Sequence, residues 1–442
     1  FRPCPDPLFR IPHVSPSNPT PRDVRMKGFA ERALVPDVLT WLRAETRPLP
    51  PEIVPVGQVS GRVLGQTITA PIDVPSFDRS AMDGYALVAT ATDGASPYNP
   101  LSFSVIGESL PGSGFSGTID TGSAARIMTG APIPNGATCV VPAEHASESS
   151  GSVEITSAMA PGRHIGRRGE DVQAGQSLLD PGRTLRPQDT ALIGSLGIDQ
   201  VEVIRRPTVR LLITGDELVV PGNPRRDDQI YESNSLMLAA LAVRDGGILE
   251  TRPPIQPVSD DRQTISSLLS RRGADVILVS GGTSVGTEDH APTLVSELGE
   301  LVFHGVAMRP SSPTGIGRVG DSLIFLLPGN PVSCLAAYDV FAGEVVRKMS
   351  GMSPDWPYMR LEAILDDKIA SDIGRLDYCR VSISEDDTTI SPLSISGASI
   401  LSSTTRADGF VLVPPELEGY AAGRTIQAWR YDRQRPDRGD PK

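Results

Sequence analysis

Three short loops in the second half of the chain combine acidic residues with glycine and small hydroxyl residues. They are TGDE at residues 214–217, GGTSVGTEDH at 281–290 and PGNPVS at 328–333. Glycine and small hydroxyl residues let backbone N–H groups approach a phosphate closely. Carboxylates beside that phosphate would repel it unless a divalent cation lay between them, and Mg²⁺ binds carboxylates together with phosphate oxygens. The loops therefore predict a Mg²⁺-assisted site for a phosphorylated or nucleotide-like ligand.

Each loop directly follows an apolar stretch that has the length of a buried strand. These stretches cover residues 209–214, 275–280 and 323–328, and stretches with helical spacing occur between or after them: SLMLAALAVRD, RQTISSLLSRR and CLAAYDVFAGEVVRKM. This alternation predicts βαβ units on a parallel sheet. Because ligands bind at the carboxyl ends of parallel strands, we expect the three loops to meet at one edge of the sheet.

Each motif by itself has a simpler explanation. A GGxSxG run is commonly a turn, and a carboxylate after a strand, such as Asp216 or Asp289, often caps a helix. Three such loops on one predicted sheet favour a binding site over three unrelated turns. The chain has no GxxxxGK[ST] loop, which excludes a P-loop NTPase, and no GxGxxG after a strand, which disfavours a dinucleotide-dependent dehydrogenase.

The rest of the sequence predicts β structure on both sides of this region, after a helix at residues 30–43. Short β-like runs from residue 55 to 203 indicate mostly antiparallel strands in one or two lobes, with a hairpin tip at 147–152. The segments SFDRSAMDGYAL, RIMTGAP and RRGEDV lie here, and their DG and TG dipeptides are typical of hairpin turns, so spacing alone favours a structural role. After residue 352, short β runs return and indicate a small β-barrel or sandwich.

Bulk composition narrows the class of protein. The 442 residues exceed the size of one hydrophobic core and predict several domains. A formal net charge of −12 disfavours a general nucleic-acid binder or a binder of acidic membranes. No apolar run approaches the roughly 18 residues that span a bilayer. The four cysteines include no CxxC motif, which is typical of reduced thiols in a cytoplasmic protein. We expect the proline-rich residues 1–26 to form a flexible leader.

Several motifs, taken together, resemble one protein family. They are PSFDRSAMDGYA, RIMTGAPIPNGA, GEDV, TGDEL, SNSLMLAAL, SGGTSVGTED, LPGNPVS and SGASILSSTTRADGF. Their order and spacing resemble the molybdopterin molybdenumtransferases, called MoeA in bacteria and the E domain of gephyrin in animals. The resemblance extends from about residue 27 to residue 432 and therefore covers nearly the whole chain.

The resemblance implies a multidomain fold of the α/β plus β class. Its parts would be a discontinuous connector domain (27–67 and 166–206), a β-rich insertion domain (68–165), a doubly wound α/β molybdopterin-binding domain (207–351) and a C-terminal β-barrel domain (352–435). Family members are homodimers whose active cleft lies between the α/β and barrel domains of one subunit and the β-rich domain of its partner. We therefore expect a homodimer with a shared cleft.

The resemblance also implies an activity, the Mg²⁺-dependent conversion of adenylylated molybdopterin and molybdate into AMP and molybdenum cofactor. Asp83, Glu217 and Asp289 are the expected catalytic residues, and Glu217 and Asp289 are also the expected Mg²⁺ ligands. Asp83 and Thr129 would act from the partner subunit. The expected substrate-binding residues are Thr129, Asp171, Asp216, Asp260, Gly281, Gly282, Ser284, Gly286, Arg309, Pro328, Gly329, Asn330, Pro331, Ser333, Arg375, Ser399 and Ser402.

One motif departs from the family. Where many relatives read KPGKP, this chain reads RPSSP at residues 309–313. Arg309 keeps one positive charge, whereas Ser312 replaces the second lysine by a hydroxyl. Arginine presents a planar fork and lysine a point charge, so the geometry of anion binding changes as well. We expect Arg375, Ser399 and Ser402 to supply compensating contacts.

Two other functions stay open on the sequence. The first is an enzyme similar to the molybdopterin adenylyltransferases, which have a related α/β fold. That activity goes with a TGGTG-type loop, whereas residues 280–286 read SGGTSVG. The second is a non-catalytic scaffold of the gephyrin type, and the intact set of acidic residues argues against it.

Overall fold

The computed structural model describes residues 32–251, 255–282, 290–393 and 400–431. The chain divides into two compact units, an insertion unit (Ile53–Val203) and a main unit that combines Phe1–Glu52 with Ile204–Lys442. Helix α1 (Val35–Glu45) belongs to the main unit and overlaps the helix predicted for residues 30–43. The predicted leader lies outside the described residues. None of the helices in the described parts of the chain has the length and apolar character needed to span a bilayer.

The insertion unit is built from short strands, as the sequence predicts. Its largest sheet has the order β7-β4-β6-β5-β9-β8, in which all neighbours are antiparallel except β5 and β6. The predicted hairpin at residues 147–152 is confirmed, because β8 and β9 pair on either side of Ser150 and Gly151. The strands are β1 (Pro51–Pro55), β2 (Ile68–Thr69), β3 (Arg79–Ser80), β4 (Gly84–Leu87), β5 (Leu101–Ser109), β6 (Ser123–Ile127), β7 (Cys139–Pro142), β8 (Ala146–Ser149), β9 (Ser152–Ile155), β10 (Ile165–Gly166), β11 (Ser177–Leu179) and β12 (Gln200–Ile204).

A second lobe of the insertion unit surrounds helix α2 (Pro187–Ser195), which the sequence analysis did not predict. Pro187 occupies the first helical position, and the Asp189 carboxylate accepts a hydrogen bond from the backbone N–H of Arg186, so the first turn is capped. The core of this lobe, which includes Leu185 and Ile193, is separate from the core beneath the largest sheet. The two cores account for two lobes within one stretch of short strands.

The α/β part of the main unit contains the parallel sheet that the sequence predicts. The strand order is β16-β13-β17-β21-β20-β18; the first four strands are parallel, and β20 and β18 are antiparallel additions at one side. The strands of the α/β part, of which β14, β15 and β19 lie outside this sheet, are β13 (Thr208–Ile213), β14 (Leu218–Val219), β15 (Ile230–Tyr231), β16 (Ile248–Leu249), β17 (Val276–Ser280), β18 (Glu300–His304), β19 (Met308–Arg309), β20 (Gly315–Val319) and β21 (Ser322–Leu327).

Helices cover both faces of this sheet, which confirms the doubly wound arrangement. One face packs against α3, α6 and α7, and the other packs against α4 and α5. Buried apolar side chains alternate between the two faces along β17, where Leu278 contributes to one core and Val279 to the other. The helices are α3 (Asn234–Arg244), α4 (Arg262–Ser270), α5 (His290–Leu298), α6 (Pro331–Ala337) and α7 (Gly343–Met349).

The C-terminal part of the main unit is a closed barrel, which decides between the barrel and the sandwich that the sequence left open. The order β24-β25-β22-β28-β26 closes because β26 also pairs with β24. Strand β19 of the α/β part adds to β24 in parallel, so the barrel and the α/β part share backbone hydrogen bonds. The elements are β22 (Met359–Leu365), β23 (Ile369–Ala370), β24 (Leu376–Ile383), β25 (Thr389–Pro392), α8 (Ser402–Arg406), β26 (Gly409–Val413), β27 (Gly419–Tyr420) and β28 (Thr425–Arg430).

One helical stretch differs in detail from its prediction. The sequence predicts a single helix for CLAAYDVFAGEVVRKM, whereas the chain forms α6, a π-helical segment (Tyr338–Ala342) and α7 in succession. Within the π segment, Asp339 is fully buried and its carboxylate accepts hydrogen bonds from the hydroxyls of Tyr358 and Tyr378. Its backbone carbonyl accepts one from Trp356 Nε1 at 2.6 Å. The π-helical turn thus places Asp339 between the α/β part and the C-terminal part of the main unit.

Candidate functional site

Three of the parallel strands end in register at one edge of the main sheet, here called the loop edge. Ile213 at the end of β13 pairs with Ser280 at the end of β17, and Ser280 pairs with Leu327 at the end of β21. The segments that follow these residues are the three loops singled out in the sequence. The structure therefore brings together the described parts of all three loops.

Glycines permit the backbones of these loops to touch. Gly281 has a φ of 94°, and a Cβ added there would lie 2.1 Å from the carbonyl oxygen of Thr214. A Cβ on Gly329 would lie 3.7 Å from the Cα of Gly281. Gly282 also has a positive φ, of 56°. A side chain at position 281 would both strain the backbone and collide with the neighbouring loop, so this close approach requires glycine.

Asn234, at the first position of α3, links two of the strand ends. Its Nδ2 donates hydrogen bonds to Ser280 Oγ at 2.9 Å and to the carbonyl oxygen of Gly329 at 2.8 Å. Asn234 is only 7% exposed and Ser280 only 1%, so both hydrogen bonds are shielded from water. Sequence reasoning placed SNSLMLAAL among the motifs but missed Asn234 as a site residue; the signal available was a polar residue at the start of an otherwise apolar helix.

Acidic side chains lie around the first loop. Asp216 and Glu217 are exposed. Asp260 follows Val258, whose carbonyl oxygen accepts a hydrogen bond from Gly215, so Asp260 belongs to the same edge. Among the described residues, Asp260 Oδ1 has no hydrogen-bond partner although it is buried, and the same holds for Thr214 Oγ1.

Of the two expected Mg²⁺ ligands, only one lies within the described residues. Glu217 is described, whereas Asp289, with Ser284 and Gly286 of the same loop, lies outside the described residues. In the part of the chain that the structure describes, no group of three or more His, Cys, Asp or Glu side chains is arranged to hold a metal ion. The assignment of Glu217 and Asp289 as metal ligands therefore stays a prediction.

The third loop leads directly into a long helical run. Pro328 follows β21, and Pro331 is the first residue of α6, where its missing N–H costs no helical hydrogen bond. Asn330 occupies the position before the helix without a side-chain capping bond. Ser333 is buried, and its carbonyl oxygen accepts a hydrogen bond from Ser311 Oγ at 2.6 Å. The third loop is therefore connected to the RPSSP segment.

The RPSSP segment differs from the family motif in its charge, and its backbone takes a conformation that suits the glycine of that motif. Ser311 has a φ of 96°, a region that favours glycine, which is the residue of the KPGKP motif at this position. Ser311 is 3% exposed. Within the described residues, Ser312 Oγ is buried without a hydrogen-bond partner. The serine pair thus leaves one unsatisfied hydroxyl where the family has a lysine.

Two arginines expected to bind an anion are already held by carboxylates. Arg309 forms an ion pair with Asp377, which is fully buried. Arg375 Nε lies 3.1 Å from the other carboxylate oxygen of Asp377, and its Nη2 lies 2.6 Å from Asp372. Asp377, in the segment GRLDY, is a residue that sequence reasoning missed. Its negative charge offsets part of the positive charge that Arg309 and Arg375 were expected to offer.

Arg380 is a further basic residue that sequence reasoning missed. It is 6% exposed, and its guanidinium donates to Ser403 Oγ. Within the described residues no carboxylate pairs with it, and burial lowers its pKa from the ordinary value. Ser402, the residue before Ser403, begins α8, whereas Ser399 lies outside the described residues. A buried guanidinium without a carboxylate partner is a candidate for anion binding.

In the insertion unit, the structure brings Asp83 and Thr129 together. Both residues are exposed, and the backbone N–H of Thr129 donates to Asp83 Oδ1 at 2.7 Å. This hydrogen bond holds the pKa of Asp83 below its ordinary value. A Cβ at Gly84 would lie 1.9 Å from the carbonyl oxygen of Val141, so the turn that carries Asp83 packs tightly against β7. The turn thus presents the Asp83 carboxylate to solvent.

Ion pairs join the RRGEDV motif to Asp78 of the SFDRSAMDGYAL motif and to Asp73, which lies just before it. Arg167 and Arg168 of RRGEDV pair with Asp78 and Asp73 at 2.6 Å and 2.5 Å. The backbone N–H of Arg168 also donates to Asp78, which is the largest cause of the lowered pKa of that carboxyl group. Asp171 is exposed, and its backbone N–H donates a hydrogen bond to the carbonyl oxygen of Val74 at 3.1 Å. The structure does not give Asp171 a contact with Asp83 or Thr129.

Comparison with known protein families matches three consecutive regions of the chain. They are the MoeA N-terminal region (domains I and II) at residues 34–197, a probable molybdopterin binding domain at residues 210–348 and the MoeA C-terminal region (domain IV) at residues 362–431. The matches cover the insertion unit, the α/β part and the barrel. The first and third matches are regions of MoeA proteins, and the probable molybdopterin binding domain lies between them.

Individual proteins of known sequence or structure are also similar to most of the chain. A molybdopterin molybdenumtransferase 2 from Mycobacterium tuberculosis is 37% identical over 391 residues, which are 86% of this chain and 95% of that protein. A molybdopterin molybdenumtransferase from Bacillus subtilis is 33% identical over 376 residues, 83% of this chain and 86% of that protein. The crystal structure of a molybdopterin biosynthesis MoeA protein from Pyrococcus horikoshii has a TM-score of 0.69 at 30% identity, covering 91% of this chain and all of that one.

The geometry at Asp83 predicts how its carboxyl group titrates. We expect its pKa to fall below the ordinary 3.8 in a carbon-detected NMR titration, because the Thr129 N–H favours the ionised form. Thr129→Pro removes this donor and should raise the pKa of Asp83, whereas Thr129→Ala keeps the backbone N–H and should leave most of the effect in place. Because the folded-state pKa is lowered, any stabilisation from this contact is present at neutral pH and lost as the pH falls through that pKa. Equal pKa values in the two variants would show that the hydrogen bond does not control the carboxylate.

Proposed function

Because the chain belongs to the MoeA family of molybdopterin molybdenumtransferases, we propose that it transfers molybdate to adenylylated molybdopterin and releases AMP in a Mg²⁺-dependent step. The observation that carries this proposal is the contact of three strand-end loops at Thr214, Gly281 and Gly329. A phosphate that joins an adenosine to a pterin is the kind of ligand that glycine-rich, backbone-lined loops bind at a sheet edge. In the chemical step a molybdate oxygen would attack the adenylyl phosphorus, the phosphoanhydride bond would break with the molybdopterin phosphate as leaving group, and AMP would keep that oxygen when the molybdenum passes to the dithiolene sulfurs.

Carboxylates around the loop edge support Mg²⁺ as the metal of the proposed reaction, since carboxylate oxygens are ligands that this cation takes. Asp216, Glu217 and Asp260 supply hard carboxylate oxygens, and one oxygen of Asp260 has no partner among the described residues. Glu217 is the proposed ligand from the described part of the chain, and Asp289 is the proposed second ligand. When bound, Mg²⁺ would neutralise the negative charge of the phosphates during the transfer.

The protein's own groups would position the two substrates. Gly281, Gly282 and Gly329 would present backbone N–H groups to the phosphates, with Asn330 and Ser333 in the same third loop. Arg380 and Ser402 are the proposed basic and hydroxyl contacts for molybdate, since the charges of Arg309 and Arg375 are partly offset by Asp377.

A homodimer would bring Asp83 and Thr129 to the loop edge of the other subunit. An exposed apolar face supports association with a second copy: Leu236 and Val243, seven residues apart on α3, are 63% and 56% exposed, and Ile248 on the edge strand β16 is 46% exposed. We place the enzyme in the cytoplasm, which agrees with the free thiols of Cys139, Cys334 and Cys379.

The direct test combines purified protein, adenylylated molybdopterin, molybdate and Mg²⁺, and follows AMP release. The wild-type protein should release AMP, and Glu217→Gln should lower the rate by at least about 100-fold, because a proposed metal ligand loses its charge. Glu416→Gln, which changes an exposed carboxylate of the barrel, is the matched control and should retain the wild-type rate. AMP release by Glu217→Gln at the wild-type rate in limiting Mg²⁺ would contradict the metal role. Consumption of MgATP with metal-free molybdopterin would instead indicate an adenylyltransferase.

The shared cleft predicts complementation between two inactive subunits. Asp83→Ala and Glu217→Gln homodimers should both be inactive, whereas a heterodimer of the two contains one cleft with neither change. Such heterodimers, isolated with two affinity tags, should recover up to about half of the wild-type rate per dimer. Light scattering would establish that each preparation is dimeric. Activity no higher than that of either parent would show that Asp83 does not act across a subunit boundary.

The serine pair predicts how the chain binds its oxyanion. Replacing Ser311 and Ser312 by Gly and Lys restores a residue suited to the positive φ and adds a cation. A partly screened charge within ~4–6 Å of a dianion contributes about 1 kcal/mol, so the molybdate concentration for half-maximal rate should fall several-fold. Ser311→Gly alone separates the backbone effect from the charge effect and should leave that concentration nearly unchanged. An unchanged molybdate dependence in the double variant would mean that Arg380 and other groups already complete the site.

A further inference from the structure

We propose that Asn234 is the positioning residue for the phosphate end of the substrate, because its amide holds the second and third loops at the spacing that a phosphate requires. The inference rests on the proposed function and adds to it a residue outside the expected acidic and glycine positions. Asn234 reaches the end of β17 through Ser280 Oγ and the loop after β21 through the carbonyl oxygen of Gly329. One side chain thus connects two backbones that are not consecutive in the chain.

The orientation of the amide is fixed by chemistry. The carbonyl oxygen of Gly329 can only accept a hydrogen bond, so the NH₂ group of Asn234 must face it. The same nitrogen donates its second hydrogen to Ser280 Oγ. Asn234 Oδ1 therefore takes part in neither of these bonds, and it is buried without a partner among the residues that the structure describes. As an acceptor it can bind only a donor group of a ligand, such as an amine or a hydroxyl, and not a phosphate oxygen.

The turn before α3 holds Asn234 in place. Glu232 is 4% exposed, and its carboxylate accepts hydrogen bonds from the backbone N–H and the hydroxyl of Ser235. These bonds fix the first turn of the helix on both sides of Asn234. The side chain consequently points to the loop edge from a rigid element rather than from a loop.

The two segments that Asn234 connects, at Ser280 and at Gly329, are those proposed to bind the phosphate. Gly281 follows Ser280 directly, and a Cβ on Gly329 would lie only 3.7 Å from the Cα of Gly281. A change in the spacing of these loops would move the N–H groups that face a phosphate, while the barrel groups proposed for molybdate would stay in place. Loss of the Asn234 amide should therefore weaken binding of the adenylyl group selectively.

The test uses the full chain and AMP as the probe. Asn234→Asp keeps the size of the side chain but removes both donors, and Asn234→Ala removes the side chain. Both variants should raise the Kd for AMP, measured calorimetrically with Mg²⁺, by about tenfold, and should raise the KM for adenylylated molybdopterin by a similar factor. The molybdate concentration for half-maximal rate should stay within about twofold. Asn99→Asp, in which another Asn Nδ2 donates to a backbone carbonyl oxygen in an exposed turn, is the matched control and should change none of these values.

A merely structural role would give a different result. Partial unfolding would lower kcat and the fraction of protein that binds AMP, but it would leave the Kd and the KM unchanged, and that outcome would overturn the proposal. If Asn234→Ala and Asn234→Asp do not fold, Ser280→Ala removes one acceptor while the bond to Gly329 stays; the Kd for AMP should then rise about threefold, and an unchanged Kd would overturn the proposal. If the wild-type protein binds AMP but releases none from adenylylated molybdopterin, the proposed function fails while the effect of Asn234 on AMP binding is still measured.

Discussion

The common register of β13, β17 and β21 is the constraint on which the loop edge depends. Ile213, Ser280 and Leu327 lie side by side, so the loops that follow begin at the same level of the sheet. Parallel strands achieve this only when helices on both faces cover the sheet, and the two separate cores on those faces provide that cover. The loops can then be short and rich in glycine, because the strands rather than loop packing determine where they start.

A second constraint connects the barrel to the α/β part of the main unit. Asp245 and Asp339 are fully buried; Arg244 lies within 2.9 Å of the first and 3.5 Å of the second, and the hydroxyls of Tyr358 and Tyr378 donate to Asp339. Burial raises the pKa of Asp339, and Arg244 opposes that rise. Removal of one partner from a buried pair of this kind typically costs about 3–5 kcal/mol, because a charge is left unpaired. The network therefore favours one arrangement of these two parts, together with the β19–β24 backbone pairing.

At the expected anion site, carboxylate partners reduce the positive charge that two arginines can offer to an anion. Arg309 and Arg375 look like anion ligands in the sequence, yet both pair with the buried Asp377. Arg380 has no such partner among the described residues and is nearly buried. A guanidinium without a carboxylate partner attracts an oxyanion more strongly than a paired one does, since less of its charge is already offset. The charge offered to an oxyanion therefore depends on Asp377 as well as on the serines at positions 311 and 312.

The sequence by itself determined the fold class and the three loops, because strand and helix periodicity and glycine-rich turns are local properties of the chain. It predicted that TGDE, GGTSVGTEDH and PGNPVS follow parallel strands, and the in-register strand ends agree. The tertiary structure alone decided which polar groups are partnered. Asn234 reaches Ser280 across 46 positions and Gly329 across 95, and Arg309 reaches Asp377 across 68. No local pattern records such pairs, because they form only when packing removes these groups from water and makes a hydrogen-bond partner necessary.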